Sequence, residues 1–159
     1  FRKNIIWRVD MIKIDELKFA VKKLEPVSHR LQLIDAGNIT IIDDAFNANP
    51  DGTKAALSVL DGFDGSKIIV TPGMIELGKR QQQLNYEFGQ NCAKVCDYIF
   101  IVGKTNDKAI YDGAVDAGFD KENIAKFDKV EDAVNAARAI QTNNKRKFVL
   151  LENDLPDNY

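Results

Sequence analysis

Metal-ligating side chains are scarce in this sequence. Its single histidine, His29, lies far along the chain from the only two cysteines, Cys92 and Cys96. A zinc site needs four ligands close together, so the cysteine pair lacks two partners and no metal site is expected. The two thiols lie four apart inside a helical pattern, face one side, and read as buried thiols in a reducing cytoplasm. Long apolar runs are missing too. The longest, such as Tyr98 to Val102, have strand length and fall far short of the ~20 residues that cross a bilayer, so no membrane partner is expected. Phe1 to Asp10 has no small-residue cleavage site after a long apolar core, which argues against a signal peptide and reads as the edge of a larger protein. Charge of one sign is also lacking: 22 Lys and Arg against 24 Asp and Glu leave a net charge of −2. No basic cluster is interleaved with aromatics, so a nucleic-acid partner is not expected. There is no internal repeat, low-complexity tract or long linker.

What the sequence does hold is apolar material for one core. Its 159 residues, 45% hydrophobic and 29% charged, suit one compact domain and hardly two. Residues 15–24 carry Leu17, Val21 and Leu24 at helical spacing, and Pro26 ends that helix. The runs 30–34 and 39–43 flank Asp35-Ala36-Gly37-Asn38, whose Gly and Asn tolerate positive φ, so an antiparallel hairpin is expected. From there the chain alternates. Apolar strands are expected at 39–42, 67–70, 98–102 and 148–151, with a weaker one at 124–127. Helical patterns lie between them at 53–60, 79–95, 108–117 and 130–140. Strands that are almost wholly apolar and alternate with helices fit a parallel sheet covered on both faces. The expected fold is therefore α/β, a doubly wound and mostly parallel sheet with one antiparallel hairpin strand. Ligands of such sheets bind beyond the carboxyl ends of the strands, which directs attention to the loops 43–52, 71–78, 103–107 and 152–158.

Three short segments bear chemistry. Thr71-Pro72-Gly73-Met74-Ile75-Glu76-Leu77-Gly78-Lys79-Arg80 follows a strand and nearly spells a phosphate-binding loop. Arg80 stands where such a loop needs a Ser or Thr hydroxyl for magnesium, and Glu76 would repel phosphate. The segment reads better as a turn whose Met74, Ile75 and Leu77 pack under the next helix; a stand-alone nucleotide hydrolase using Lys79 is the competing reading. Asp43-Asp44-Ala45-Phe46-Asn47-Ala48-Asn49-Pro50 places two carboxylates and two amides at the mouth of a strand. They suit ribose hydroxyls, a metal or an amide-bearing substrate, or serve only the turn and a helix cap, for which Asp51 or Thr53 is expected. An acidic pair there also fits a magnesium-binding phosphoacceptor domain, but the later strand ends, Val70-Thr71 and Val102-Gly103, carry no aspartate. Val27-Ser28-His29-Arg30 puts an arginine at a strand's entrance, able to present its planar fork to phosphate or merely to solvate the edge.

In their order, Leu24-Glu25-Pro26-Val27-Ser28-His29-Arg30-Leu31, Ile41 through Pro50 with Ala55-Ala56-Leu57, and Gly73-Met74-Ile75-Glu76-Leu77-Gly78 resemble the C-terminal domain of the Mur ligases. These are ATP-dependent amide ligases of peptidoglycan precursor synthesis. The motifs are most similar to the branch that adds D-Ala-D-Ala to a UDP-MurNAc-peptide. The resemblance implies a Rossmann-like domain over 1–159, with 1–14 a remnant of the preceding segment. It implies ATP and Mg2+ as cofactors, with the phosphate-loop lysine and the magnesium ligands on a central domain of the same protein, and a cytoplasmic location. Central and N-terminal domains, the UDP-MurNAc-peptide and D-Ala-D-Ala or a related amine are the implied partners.

By the same resemblance Arg30 approaches the ATP phosphates and acts in catalysis, while Asp44 holds the nucleotide ribose with Asn47 beside it. Asn49 and Pro50 shape that loop, and Asn49, Thr71, Asn106 and Asp154 are the candidates for the acceptor side. The family reaction transfers the γ-phosphate of ATP to a carboxylate, after which an amine attacks the acyl phosphate; positioned cations such as Arg30 stabilise the spread charge. Isolated, such a domain is expected to be inactive. The sequence departs from the branch at Pro72-Gly73-Met74, where many members read Gly-Asp-Met, and at Leu150 to Tyr159, where a Gly- and Ser-rich segment is usual. Both departures leave the amine acceptor open. A non-catalytic α/β ligand-binding or regulatory module is the alternative from another class.

Overall fold

The computed structural model describes residues 30–45 and 48–153. The expected helix at 15–24, the segment 1–14, His29, Asn47 and Asp154 lie outside them. The chain forms strand β1 Gln32–Asp35, strand β2 Ile39–Asp44, helix α1 Pro50–Asp61, strand β3 Ser66–Thr71, helix α2 Gln81–Val95, strand β4 Tyr98–Val102, helix α3 Asp107–Asp116, strand β5 Ile124–Phe127, helix α4 Val130–Ala139 and strand β6 Lys147–Glu152. The six strands make one sheet in the order β1-β2-β6-β3-β4-β5. Only β1 and β2 are antiparallel; every other neighbouring pair is parallel. The hairpin turns where Gly37 sits at φ +81° and donates its N–H to Asp35 Oδ1 at 3.2 Å, the use of Gly that the sequence suggests.

Alternation along the strands sorts the core onto two faces. Ile42, Ile69, Ile99, Ile101 and Leu150 pack with α1, α2 and α3 through Leu57, Leu60, Phe88 and Ile110. Ile39, Ile68, Val70, Phe100 and Val149 pack with α4 through Ala133 and Ala137. Each fully buried Ile or Leu contributes about 1.5–3 kcal/mol, and both faces are covered, as the wholly apolar strands require.

Three local expectations are corrected. β1 begins at Gln32 rather than Arg30, because Leu31 takes φ +48° and cannot extend the strand. The cap of α1 is Asn49, not Asp51 or Thr53: its Oδ1 accepts the Gly52 N–H at 2.8 Å, and Pro50 follows at the first helical position, where its missing N–H costs nothing. Residues 78–80 form a 3-10 turn ahead of α2. Gly89 of α2 and Gly113 of α3 let those helices meet backbone to backbone; a Cβ on them would lie 2.2 Å from the Ile110 carbonyl oxygen and 2.0 Å from that of Tyr86.

Candidate functional site

The carboxyl edge of the sheet is built around two groups of polar residues. The first begins at the end of β2. Asp43 points to the α4 face, where its Oδ1 accepts the Ala45 N–H at 3.1 Å and closes a tight turn. Asp44 points to the other face and is half-buried; its Oδ1 accepts the Leu31 N–H at 3.1 Å. That bond anchors the backbone beside Arg30, whose exposed guanidinium acts electrostatically on Asp44. Two residues singled out in separate motifs are thus brought together.

β6 completes this group from the centre of the sheet. Glu152 lies opposite Asp44 in the parallel register, is 1% exposed, and is hydrogen-bonded to the Asp44 carboxyl. Burial first, then the charge of Asp44, pushes Glu152 up to about 9. It therefore holds its proton at neutral pH and is the donor to Asp44. Burial also raises Asp44, opposed by the Leu31 N–H, the Glu152 hydrogen bond and the Arg30 charge. Of the two, Glu152 is far more buried, so the shared proton resides on it.

The second group holds the turn Pro72-Gly73-Met74. Thr71 Oγ1 accepts the Gly73 N–H at 3.0 Å. Asn85 of α2 accepts the Met74 N–H at 2.8 Å and donates to the Met74 carbonyl at 2.9 Å. Asn106 donates to the Pro72 and Met74 carbonyls, both at 3.1 Å, and accepts from Gln81 at 3.1 Å. Gly73 has φ +80°, and a Cβ there would lie 2.5 Å from Asn85 Oδ1, so only glycine fits. Met74 is buried and Leu77 packs against the core, as expected. Ile75 departs from expectation and stays 37% exposed, because the loop turns outward through Glu76 at φ +61°.

Asn153 joins the two groups. Its N–H reaches the Asp44 carbonyl at 3.2 Å. Its Oδ1 accepts the Ala48 N–H at 3.0 Å, and its Nδ2 donates to the Gly73 carbonyl. One side chain therefore ties the loop after β2 to the loop after β3.

The remaining sequence candidates fall as follows. Thr71 and Asn106 are 0% and 1% exposed, and their polar groups hold the turn. Asn49 is exposed at the start of α1 with Oδ1 engaged as the cap. Cys92 and Cys96 are free and buried; burial raises the Cys92 thiol well above its ordinary range, which keeps it inert. Sequence reasoning missed Asn85, Glu152 and Asn153. Asn85 had a signal, an amide on the buried stripe that continues through Phe88 and Cys92. Glu152 had one too, a carboxylate closing the apolar run Phe148 to Leu151. Among the described residues, open clefts of about 750 and 570 Å³ lie at the opposite, amino edge of the sheet. Two of their cations are engaged within the fold: Arg146 pairs with Asp35 at 2.9 Å, and Lys147 Nζ caps the end of α4 through the Arg138 and Ile140 carbonyls.

Residues 29–151 match the family described as Mur ligase, glutamate ligase domain. Over 120 residues the chain is 31% identical to the UDP-N-acetylmuramoyl-tripeptide--D-alanyl-D-alanine ligase of Bacillus subtilis, covering 72% of this chain and 26% of that protein. In structure it is similar to a MurF of Acinetobacter baumannii, with a TM-score of 0.68 and 26% identity over 87% of this chain and 30% of the other. It is also similar to the MurF ligase of Thermotoga maritima in complex with ADP, with a TM-score of 0.67 and 25% identity over 85% of this chain and 29% of the other. The match spans 20% to 26% of the length of the Haemophilus influenzae and Bacillus subtilis ligases.

Proposed function

This chain belongs to the Mur ligase family, as the family's glutamate ligase domain, and on that premise we propose that it is the C-terminal domain of a cytoplasmic, ATP-dependent amide ligase of peptidoglycan precursor synthesis. The nucleotide lies at the carboxyl edge of β2 and β6. Asp44 accepts hydrogen bonds from its ribose hydroxyls, and Arg30 faces its phosphates. The observation that carries this reading is the meeting of Arg30 and Asp44, anchored to each other through the Leu31 N–H. A carboxylate acceptor beside an exposed guanidinium matches a ribose linked to a phosphate chain. The ADP complex of the Thermotoga relative supports a nucleotide in this family.

Among the described residues no group of three or more His, Cys, Asp or Glu side chains is placed to hold a metal ion. Membership of the Mur ligase family supports placing magnesium and most phosphate contacts on a central domain of the same protein. The relatives' names support a UDP-MurNAc-tripeptide and D-Ala-D-Ala as substrates. Thr71 and Asn106 serve the acceptor side through the turn that they hold, and Asn49 through the helix it caps. Asn47, three residues after Asp44 in the sequence, and Asp154, two after Glu152, complete the proposed nucleotide and acceptor contacts.

The test is kinetics of the complete ligase. Arg30→Ala lowers kcat by about 100-fold or more, the scale of losing one charge-stabilising donor, with little change in thermal stability because the side chain is exposed. Asp44→Ala chiefly raises KM for ATP. Wild-type kinetics in both variants would sink the reading, and ATP turnover by the 159-residue chain alone, abolished by Lys79→Ala, would favour a stand-alone hydrolase.

A further inference from the structure

The side chain hydrogen-bonded to the Asp44 carboxyl is another acid, Glu152. Such a pair needs a proton to be stable, and the fold shows where it sits. Glu152 projects from β6 on the same face of the sheet as Asp44, directly across the register. Treated as an ionised carboxylate, Glu152 buries Oε2 with no hydrogen-bond partner. A proton on Glu152 removes that buried charge and supplies a donor for Asp44. We propose that Glu152, buried at the end of β6 and facing Asp44 across the parallel register, is the positioning residue that orients the Asp44 carboxylate for the nucleotide ribose. The proposal rests on the reading of Asp44 given above.

Among the described residues, little else is placed to set the charge of Glu152. Asp44 faces it from β2, with Asp43 on the opposite side of that strand and Arg30 acting on Asp44 from the outside. From α2 the nearest titratable group is the buried Cys92 thiol, itself kept neutral. The neighbouring end of β3, Val70 and Thr71, has no titratable side chain. Asp51, Lys54 and Asp61 of α1 are exposed, and the charged groups of α4 lie across the sheet. The next residue, Asn153, fixes the backbone on both sides, through its N–H to the Asp44 carbonyl and its Oδ1 to the Ala48 N–H. The end of β6 thus supports the side chain and the loop of the nucleotide site together.

Ionisation of Glu152 would set two carboxylates against each other and turn Asp44 away from the ribose. In the complete ligase, KM for ATP is therefore expected to rise about fourfold from about pH 7.5 to about pH 9.5, the change set by a single group titrating near 9. Glu152→Gln, which keeps a donor but cannot ionise, loses that pH dependence. Glu152→Ala raises KM for ATP at every pH and leaves kcat within about twofold. The Glu152 carboxyl carbon resonance, assigned by its absence in Glu152→Gln, titrates near 9 rather than near the ordinary 4.5. A midpoint near 4.5, or the same pH profile in Glu152→Gln as in the unsubstituted enzyme, overturns the inference. Asp44→Ala separates it from the functional reading. If that variant weakens ATP binding while Glu152 has no effect, the inference alone falls; if Asp44→Ala leaves KM for ATP unchanged, the functional reading falls and takes the inference with it.

Discussion

Asn153 stands at φ +75°, a conformation that costs a non-glycine residue on the order of 1 kcal/mol or more. Two buried side-chain hydrogen bonds, to the Ala48 N–H and the Gly73 carbonyl, hold it there. Glycine would relieve the backbone and cut both bonds. Because each of the two buried partners left unsatisfied costs about 1–3 kcal/mol and the relieved strain returns about 1 kcal/mol, Asn153→Gly is expected to lose about 1–5 kcal/mol net. Urea unfolding measures this, and a stabilised variant would show that the strain outweighs the clamp. The same residue illustrates why part of the site was hidden. Asp44 and Arg30 stand out as candidates because they sit in short ordered motifs, whereas Asn153 acts on a residue 105 positions earlier. Nothing local in Leu151-Glu152-Asn153 announces that reach.

At the scale of elements, the tightest joint is between α2 and α3. A methyl on Gly89 or Gly113 would enter the backbone of the facing helix, at 2.2 and 2.0 Å from carbonyl oxygens. Neither contact lies at the end of a flexible side chain, so the helices must separate. Gly89→Ala and Gly113→Ala are each expected to cost about 1–3 kcal/mol, despite the gain of up to about 1 kcal/mol in helix propensity. Thermal unfolding reads the result; unchanged stability would mean that the helices slide apart freely. Separation would also disturb Asn85 and Asn106, which reach the Gly73-Met74 turn from α2 and from the entrance to α3. Element types and most boundaries were legible, since apolar runs and helical spacing are local properties. The corrections at Leu31 and Asn49 arose where a single backbone angle or cap decided the end.

For the whole molecule, the buried proton on Glu152 couples stability to pH. Its carboxyl is raised from 4.5 to about 9 on folding, so the folded state binds more protons than the unfolded state between those values. Its contribution is therefore complete below about 4.5 and declines as pH rises to about 9, by up to about 1.4 kcal/mol per pH unit. Glu152→Gln removes this slope and is expected to stabilise the chain by about 1–3 kcal/mol at mildly alkaline pH. Urea unfolding at acidic and alkaline pH checks it: parallel stability profiles for the two proteins would show that Glu152 ionises normally in the fold.

The sequence by itself determined the alternation of strands and helices, the Gly37 hairpin and the three motifs, because periodicity and turn chemistry act over a few residues. Tertiary structure alone decided that β6 lies between β2 and β3. Parallel pairing joins strands far apart in the chain, and no local pattern records which neighbours they choose. That choice sets Glu152 against Asp44 and carries Asn153 to the Gly73 carbonyl 80 residues away. It also turns Glu152 from an ordinary carboxylate into a buried proton donor, since burial, not residue type, fixes its charge.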